Sequence, residues 1–156
     1  MTPTPHLALV AIVSQAILAG AGILGLWLAK MTVPPLSARP LRDLLIGGLT
    51  AAALGAVNYL ALHRPRGVFR SVRSAVDDVL VPTFAGMTPG EIAAVSLAAG
   101  IGEELFFRGC LQSVFGAGAA AVLFGMAHVA GARMLAFGLW AMVMGVVLGG
   151  LVMVTG

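Results

Sequence analysis

The chain has 156 residues, of which 60% are apolar and 10% are charged, and its mean hydropathy is +1.03. Soluble domains usually carry about 25% charged residues, so this composition indicates a membrane protein of one domain's length. The net charge of +3 comes from basic residues between apolar runs, without interleaved aromatic residues. That arrangement argues against nucleic-acid binding and favours contact with lipid headgroups.

The first apolar run covers residues 7–29 and is long enough to cross a hydrocarbon core about 30 Å thick as a helix. No Lys or Arg precedes this run, and no small-residue cleavage site follows it before Lys30. We therefore expect a retained membrane span and not a secretory signal peptide. Residues 30–43 contain three prolines, which predict a connector without helix.

A second span is predicted for residues 44–62, which are rich in small residues. The glycines among them should let this helix approach another one closely; they are Gly47, Gly48 and Gly55. Asn58 is the main polar side chain of this run, and we expect it to make a hydrogen bond between helices.

Residues 64–80 show a different pattern, with apolar residues at helical spacing and basic residues on the other faces. Such a pattern is typical of an amphipathic helix that lies in the membrane interface and directs its arginines to anionic headgroups. A solvated basic loop is the alternative.

The sequence "MTPGE" gives a clear start to a third span. Thr88 can cap the helix, Pro89 suits its first position, and Glu91 completes a capping box. This helix is predicted to run from about Pro89 to Phe115 and to end in a tight glycine turn at residues 116–119.

Two further apolar segments follow, a short one at residues 120–130 and a longer one at residues 134–155. Gly145 and Gly149 lie in GxxxG spacing, which favours helix packing. The predicted fold is an all-α, multi-pass transmembrane bundle of four to five membrane segments, divided into N-terminal spans with a basic helix (residues 1–88) and a C-terminal region (89–156). The distribution of basic residues favours a cytoplasmic N-terminus.

The stretch "GIGEELFFRG" places Glu103, Glu104 and Arg108 within one of the most apolar parts of the chain. Glu103 lies about 18 Å along the helix from Glu91, near the middle of the membrane. Ionisable residues at that depth are rare and usually functional. Glu104 and Arg108 are four residues apart and share one face, so each can offset the desolvation of the other. We therefore assign Glu104 and Arg108 as supporting ions and Glu103 as the proton acceptor.

His128 is the histidine of a later apolar segment, in "LFGMAHVAG". If the chain turns near Ala117, Glu103 and His128 lie at levels that differ by about 4–5 Å in antiparallel helices. We expect the two side chains to face one another and share a water molecule. A hydrogen-bonded core histidine is the alternative for His128.

The motif "EELFFRG" resembles the E-E-x-x-x-R motif of the CPBP family, the CAAX protease and bacteriocin-processing membrane proteins. "FGMAH", Phe124 to His128, is similar to the second motif of that family, F-x-x-x-H. The resemblance covers about residues 89–156. It implies an all-helical intramembrane endopeptidase that hydrolyses peptide bonds of membrane-associated or lipidated substrates, in which Glu103 and His128 activate water while Glu104 and Arg108 support them.

The sequence departs from this family at a third motif, a histidine followed four residues later by Asn or a similar group. No histidine follows His128 before the chain ends at Gly156. In the family those groups would help to hold the oxyanion, and loss of one such donor lowers the rate by about 100- to 1000-fold. We therefore expect a chain truncated before the third motif, or a protein without activity.

Three further expectations concern ligands and alternatives. No cofactor is expected; the metal-dependent alternative is zinc held by Glu103 and His128, with Glu104 as the third ligand. Zinc sites usually have three protein ligands, but Glu103 and Glu104 diverge by about 100° on a helix and chelate one ion poorly. The functional alternative is a non-catalytic CPBP-like membrane protein, such as a bacteriocin self-immunity protein or binding partner. Cys110 is expected to be a packing residue. The expected location is the cell membrane, in bacteria the plasma membrane, and the expected partners are lipids and a peptide or lipidated protein substrate.

Overall fold

The computed structural model describes residues 6–31 and 39–155 of the chain. Its α-helices are α1 (Leu7–Leu28), α2 (Pro40–His63), α3 (Val68–Ala75), α4 (Val81–Phe84), α5 (Pro89–Glu103), α6 (Gln112–Ala127) and α7 (Leu135–Thr155). They are accompanied by two π-helical segments, Val76–Leu80 and Glu104–Leu111, and by a 3-10 turn, Ala132–Met134. Within the described ranges no strand occurs, which confirms the predicted all-α fold.

Four helical stretches of the described residues are long and apolar enough to cross a membrane. They are Leu7–Leu28, Pro40–His63, Pro89–Ala127 and Ala132–Thr155. This number confirms the prediction of four to five membrane segments and a multi-pass membrane protein.

The second span begins earlier than the sequence predicted. Pro40 was expected to belong to a connector, but it occupies the first turn of α2. A proline has no N–H to contribute and its fixed φ angle suits the first position of a helix, so it starts a helix as readily as it ends one. Residues 32–38 of the predicted connector lie outside the described residues.

The predicted start of the third span is confirmed in detail. The Oγ1 atom of Thr88 accepts a hydrogen bond from the backbone N–H of Glu91 at 3.2 Å. In return, the Glu91 carboxylate accepts one from the backbone N–H of Thr88 at 2.8 Å. Pro89 follows the cap at the first helical position. This capping box fixes the residue at which the long helical stretch begins.

The predicted turn at residues 116–119 is wrong in its extent. The chain leaves helical geometry only at Gly116, which has φ 84° and ψ 162°. Helical geometry resumes directly afterwards and continues to Ala127. A positive φ of this size is strained for other residues, which explains why a glycine occupies the kink.

The described chain divides into two compact units. Unit 1 combines Met1–Val33 with Leu80–Ala120, and unit 2 combines Pro34–Val79 with Ala121–Gly156. Each unit contains segments from both sides of residue 88, so the division into residues 1–88 and 89–156 stays a prediction about the sequence.

In unit 1, α1 packs against α5 and against the π-helical segment Glu104–Leu111. Close contacts occur at glycines of α1. A Cβ atom added at Gly22 would lie 2.8 Å from the backbone oxygen of Leu105. One added at Gly25 would lie 2.5 Å from the Sγ atom of Cys110. Cys110 is 6% exposed, so the prediction that it is a packing residue is confirmed.

The glycine of unit 1 that lies closest to the backbone of another helix is Gly102, next to Glu103. A Cβ atom there would lie 2.6 Å from the backbone oxygen of Gln15 on α1, and backbone atoms cannot move aside like a flexible side chain. We expect Gly102→Ala to lower the free energy of unfolding in detergent by about 1–3 kcal/mol, as overpacking does elsewhere. Gly100→Ala is the matched control because a Cβ atom there meets no described atom within 4 Å. Equal stability of the two variants would contradict the close helix contact.

In unit 2, the predicted role of Asn58 is confirmed. The indole N–H of Trp140 on α7 donates a hydrogen bond to the Asn58 side-chain oxygen at 2.7 Å. The Asn58 amide nitrogen donates to the backbone oxygen of Leu54 at 2.9 Å. Both polar ends of this amide are therefore satisfied within apolar surroundings, and α2 is joined to α7.

The glycines predicted to bring α2 close to another helix are the wrong ones. A Cβ atom added at Gly47, Gly48 or Gly55 would meet no described atom within 4 Å. Close contacts in unit 2 instead involve glycines of α6 and α7. A Cβ atom at Gly138 would lie 2.8 Å from the backbone oxygen of Gly125, and one at Gly145 would lie 3.1 Å from the Cα atom of Ala121. The prediction for the GxxxG pair on α7 is thus confirmed at Gly145.

The predicted amphipathic helix exists, but it is shorter than residues 64–80. It begins at Val68, after Gly67 with a positive φ of 55°. Its apolar face is buried, with Val72 and Ala75 at 3% and 2% exposure. The position of α3 in the membrane interface stays a prediction.

Candidate active site

The glutamate and arginine motif lies at a change of helix type that the sequence analysis missed. The α-helical part of the stretch, α5, ends at Glu103, and a π-helical segment covers Glu104–Leu111. The backbone N–H of Gln112 donates to the oxygen of Phe107, five residues earlier, as π-helical geometry requires. Short π-helical segments are rare and occur frequently at functional sites.

Glu104 and Arg108 form the predicted ion pair. The Nε atom of Arg108 lies 3.5 Å from a carboxylate oxygen of Glu104. The Arg108 side chain is only 4% exposed, whereas that of Glu104 is 46% exposed. The pair therefore runs from the interior of unit 1 to its surface, and the carboxylate compensates a buried positive charge.

We expect this pair to be detectable as a coupling energy. Glu104→Leu leaves the buried guanidinium of Arg108 without this carboxylate and should lower the free energy of unfolding by about 2–3 kcal/mol. The double variant Glu104→Leu/Arg108→Met removes both charges and should recover most of that loss. Unfolding of the single and double variants in detergent measures the coupling. A double variant as unstable as the sum of the single ones would contradict the ion pair.

Glu103 is the last residue of α5 and is half-buried. It follows Gly102, whose contact with α1 fixes the position of this part of the helix in unit 1. The role of Glu103 as proton acceptor stays a prediction.

His128 follows α6 directly, and within unit 2 its ring makes one hydrogen bond and two contacts with aromatic rings. Its Nδ1 atom lies 2.7 Å from the backbone oxygen of Phe124. The rings of Phe124 and Phe137 are 4.5 Å and 5.9 Å from the His128 ring, measured between centroids. A carbonyl oxygen can only accept a hydrogen bond, so Nδ1 carries the proton here. In the neutral imidazole the lone pair is then on Nε2, where it can accept a hydrogen bond from water.

Neither phenylalanine beside His128 was given a role from the sequence, although Phe124 begins the motif "FGMAH". Phe124 could have been recognised, because it lies one helical turn before His128 and belongs to the same motif. Phe137 could not, because its contact with His128 depends on how α7 packs.

The structure places three of the predicted site residues in one unit and the fourth in the other unit. Glu103, Glu104 and Arg108 belong to unit 1, while His128 belongs to unit 2. The predicted meeting of Glu103 with His128 therefore stays a prediction.

The donor set for a metal ion is small. Among the described residues, no group of three or more His, Cys, Asp or Glu side chains could hold a metal ion together. Glu103 and His128 alone would supply two protein ligands, whereas zinc sites usually have three or four. These residues do not fit a zinc site of the usual kind.

Comparison with known proteins gives one match. Residues 85–156 match the family model described as "Type II CAAX prenyl endopeptidase Rce1-like". This match covers both motifs, "EELFFRG" and "FGMAH", and confirms the resemblance to the CPBP family. No curated protein and no solved structure matches the chain.

Proposed function

We propose, from the match of residues 85–156 to the Rce1-like type II CAAX prenyl endopeptidases, that the protein is an intramembrane endopeptidase of the CPBP type that cleaves prenylated or otherwise membrane-associated peptides. Glu103 and His128 activate the attacking water in this proposal, and Glu104 and Arg108 maintain the shape and charge of the site. The cell membrane, in bacteria the plasma membrane, is the proposed location.

The proposed reaction needs one proton acceptor and one group that orients water. The Glu103 carboxylate takes a proton from water while the water oxygen forms a bond to the peptide carbonyl carbon. The Nε2 lone pair of His128 accepts a hydrogen bond from the same water and holds it for attack. When the carbon–nitrogen bond breaks, the proton held by Glu103 passes to the leaving amine, which restores the carboxylate.

The observation that supports this proposal most strongly is the buried Arg108 and its pair with Glu104 in a membrane-spanning stretch. A charged pair in such a place is costly in free energy, and packing alone would be served as well by apolar residues. Its position directly beside Glu103, within a region of the endopeptidase family, favours a supporting role in catalysis.

The proposal is tested by cleavage of a synthetic peptide with a prenylated C-a-a-X end. Purified protein in proteoliposomes should release a shortened prenylated peptide, identified by mass spectrometry, while the unprenylated peptide is cleaved more slowly. A protein that binds the prenylated peptide without cleaving it would instead support the non-catalytic alternative.

The same assay examines metal dependence. Because the described residues do not supply a usual zinc ligand set, cleavage should survive prolonged treatment with a strong chelator. Loss of activity on chelation, with recovery on addition of zinc, would replace the metal-free mechanism by a metal-dependent one.

A further inference from the structure

The first membrane-spanning helix, α1, lies outside residues 85–156, which match the endopeptidase family. Within unit 1 it nevertheless packs along α5 and the π-helical segment. These two elements carry the three charged residues of the motif, Glu103, Glu104 and Arg108. A helix from outside the family region therefore contacts the part of the chain that carries the proposed catalytic motif.

One narrow face of α1 makes this contact. Ala8 and Gly22 are buried on it. Gln15 lies midway between them, and its backbone oxygen would be 2.6 Å from a Cβ atom added at Gly102 of α5. Because these three positions of α1 are seven residues apart, they lie along one stripe of the helix. Gly25 follows Gly22 by three residues and belongs to the same side.

Gly22 lies against the backbone of the π-helical segment between Glu104 and Arg108. A Cβ atom added at Gly22 would lie 2.8 Å from the backbone oxygen of Leu105 and 3.0 Å from the Cα atom of Phe106. Carbon atoms in contact are normally about 3.5–4.0 Å apart, so Gly22→Ala would have to displace this backbone by roughly 0.5–1 Å. The main chain that joins the two ions of the pair is thus in direct contact with α1.

Gly25 lies against a side chain of the same segment. A Cβ atom added there would lie 2.5 Å from the Sγ atom of Cys110, and the next nearest atom, the Cβ atom of Cys110, would be 4.0 Å away. Cys110 follows Arg108 by two residues. A thiol turns about its Cα–Cβ bond more easily than a main chain moves, so Gly25→Ala should disturb the segment less than Gly22→Ala.

The ion pair of this segment is sensitive to the position of the main chain. The Arg108 side chain is buried, and its Nε atom lies 3.5 Å from the Glu104 carboxylate, four residues earlier. A buried guanidinium has little freedom to follow a carboxylate that moves, and an incompletely compensated charge is costly there. Displacement of catalytic groups by about 1 Å can lower a rate by about 100-fold.

We infer that α1 is part of the proposed active site and that Gly22 and Gly25 are positioning residues for it. They fix the main chain of the π-helical segment and, through it, the pair of Glu104 and Arg108 that follows Glu103. This inference rests on the proposed function, and it extends the site beyond the residues that match the endopeptidase family.

Gly22→Ala should lower kcat for the prenylated peptide by about 10- to 100-fold and change KM little, because displaced catalytic groups lower the rate of the bound complex. Gly20→Ala is the matched control on the same helix, since a Cβ atom there meets no described atom within 4 Å. Rates are expressed per folded protein, measured by size-exclusion chromatography, so that a loss of folded protein alone leaves kcat unchanged. Equal kcat values for the two variants, with cleavage by the wild-type protein, would overturn the inference and leave the proposed function intact.

The contact between Gly25 and Cys110 permits a rescue experiment. Gly25→Ala should lower kcat by less than Gly22→Ala does. The double variant Gly25→Ala/Cys110→Ala removes the Sγ atom that the added Cβ atom meets and should recover most of this loss. Cys110→Ala alone should retain activity. A double variant no more active than Gly25→Ala would contradict positioning through this contact.

The coupling energy between Glu104 and Arg108 separates failure of this inference from failure of the proposed function. Double-variant cycles of unfolding in detergent measure it in the Gly22→Ala and Gly20→Ala backgrounds, without any need for cleavage. The coupling should fall by more than half in Gly22→Ala and stay unchanged in Gly20→Ala. If the coupling falls in this way but the wild-type protein cleaves no peptide, the proposed function is wrong and the positioning by α1 stands. An unchanged coupling in Gly22→Ala would overturn the positioning, with or without cleavage.

Discussion

Replacing Glu103 by glutamine is expected to lower kcat/KM for cleavage of a prenylated peptide by about 1000-fold or more. The amide keeps the size of the side chain and its ability to form hydrogen bonds, but it cannot take a proton from water. General acid–base catalysis contributes about 10²- to 10⁴-fold, and loss of the group that deprotonates the nucleophile belongs at the upper end of this range. The rate of product formation by the wild-type protein and by the variant is measured in proteoliposomes by mass spectrometry.

The matched control is Glu91→Gln in the same helical stretch. Glu91 completes the capping box at the start of α5, and glutamine is also accepted at this position. The control should therefore retain both membrane insertion and activity. Wild-type activity in Glu103→Gln would remove Glu103 from the mechanism, whereas equal loss in both variants would point to an effect on folding.

The features that were predicted from the sequence correctly depend on local interactions or on composition. The capping box at Thr88 needs only residues three positions apart. The Glu104–Arg108 pair needs only the spacing of one helical turn. The membrane spans follow from the length of uncharged runs. Asn58 was expected to form a hydrogen bond with another helix because a side-chain amide in apolar surroundings needs a hydrogen-bond partner.

The π-helical segment Glu104–Leu111 could not be predicted in the same way. Its sequence, "ELFFRGCL", has the apolar and small residues of an ordinary membrane helix. The segment coincides with the close contact between α1 and the motif, where Gly22 lies against Leu105 and Gly25 against Cys110. We therefore attribute the change from α-helical to π-helical geometry to tertiary packing, which a single run of residues does not specify.

The packing role of individual glycines was also beyond the sequence. Gly47, Gly48 and Gly55 on α2 have the same composition signal as Gly125, Gly138 and Gly145, yet only the second group lies against backbone or side chains of a described neighbour. Composition shows how many small residues a span contains. Which face of the span contacts another helix depends on where that helix packs. The same reasoning applies to Phe137, whose contact with His128 comes from α7.

Replacing His128 by phenylalanine is expected to lower kcat by about 100-fold or more. The new ring can occupy the same place beside Phe124 and Phe137, but it lacks the Nε2 atom that we propose holds the attacking water. Phe137→Leu serves as the control because it removes one neighbouring ring and keeps the hydrogen bond from Nδ1 to Phe124. This variant should lose less than about tenfold, since His128 keeps its tautomer.

The double variant Glu103→Gln/His128→Phe tests whether the two residues act on the same water. Residues that act as a unit give strongly non-additive losses, because the second substitution has little left to remove. We therefore expect the double variant to be within about tenfold of Glu103→Gln alone, measured as kcat/KM on the same prenylated peptide. If the losses of the two single variants multiply instead, Glu103 and His128 act in separate steps, and the shared water of the proposed mechanism must be abandoned.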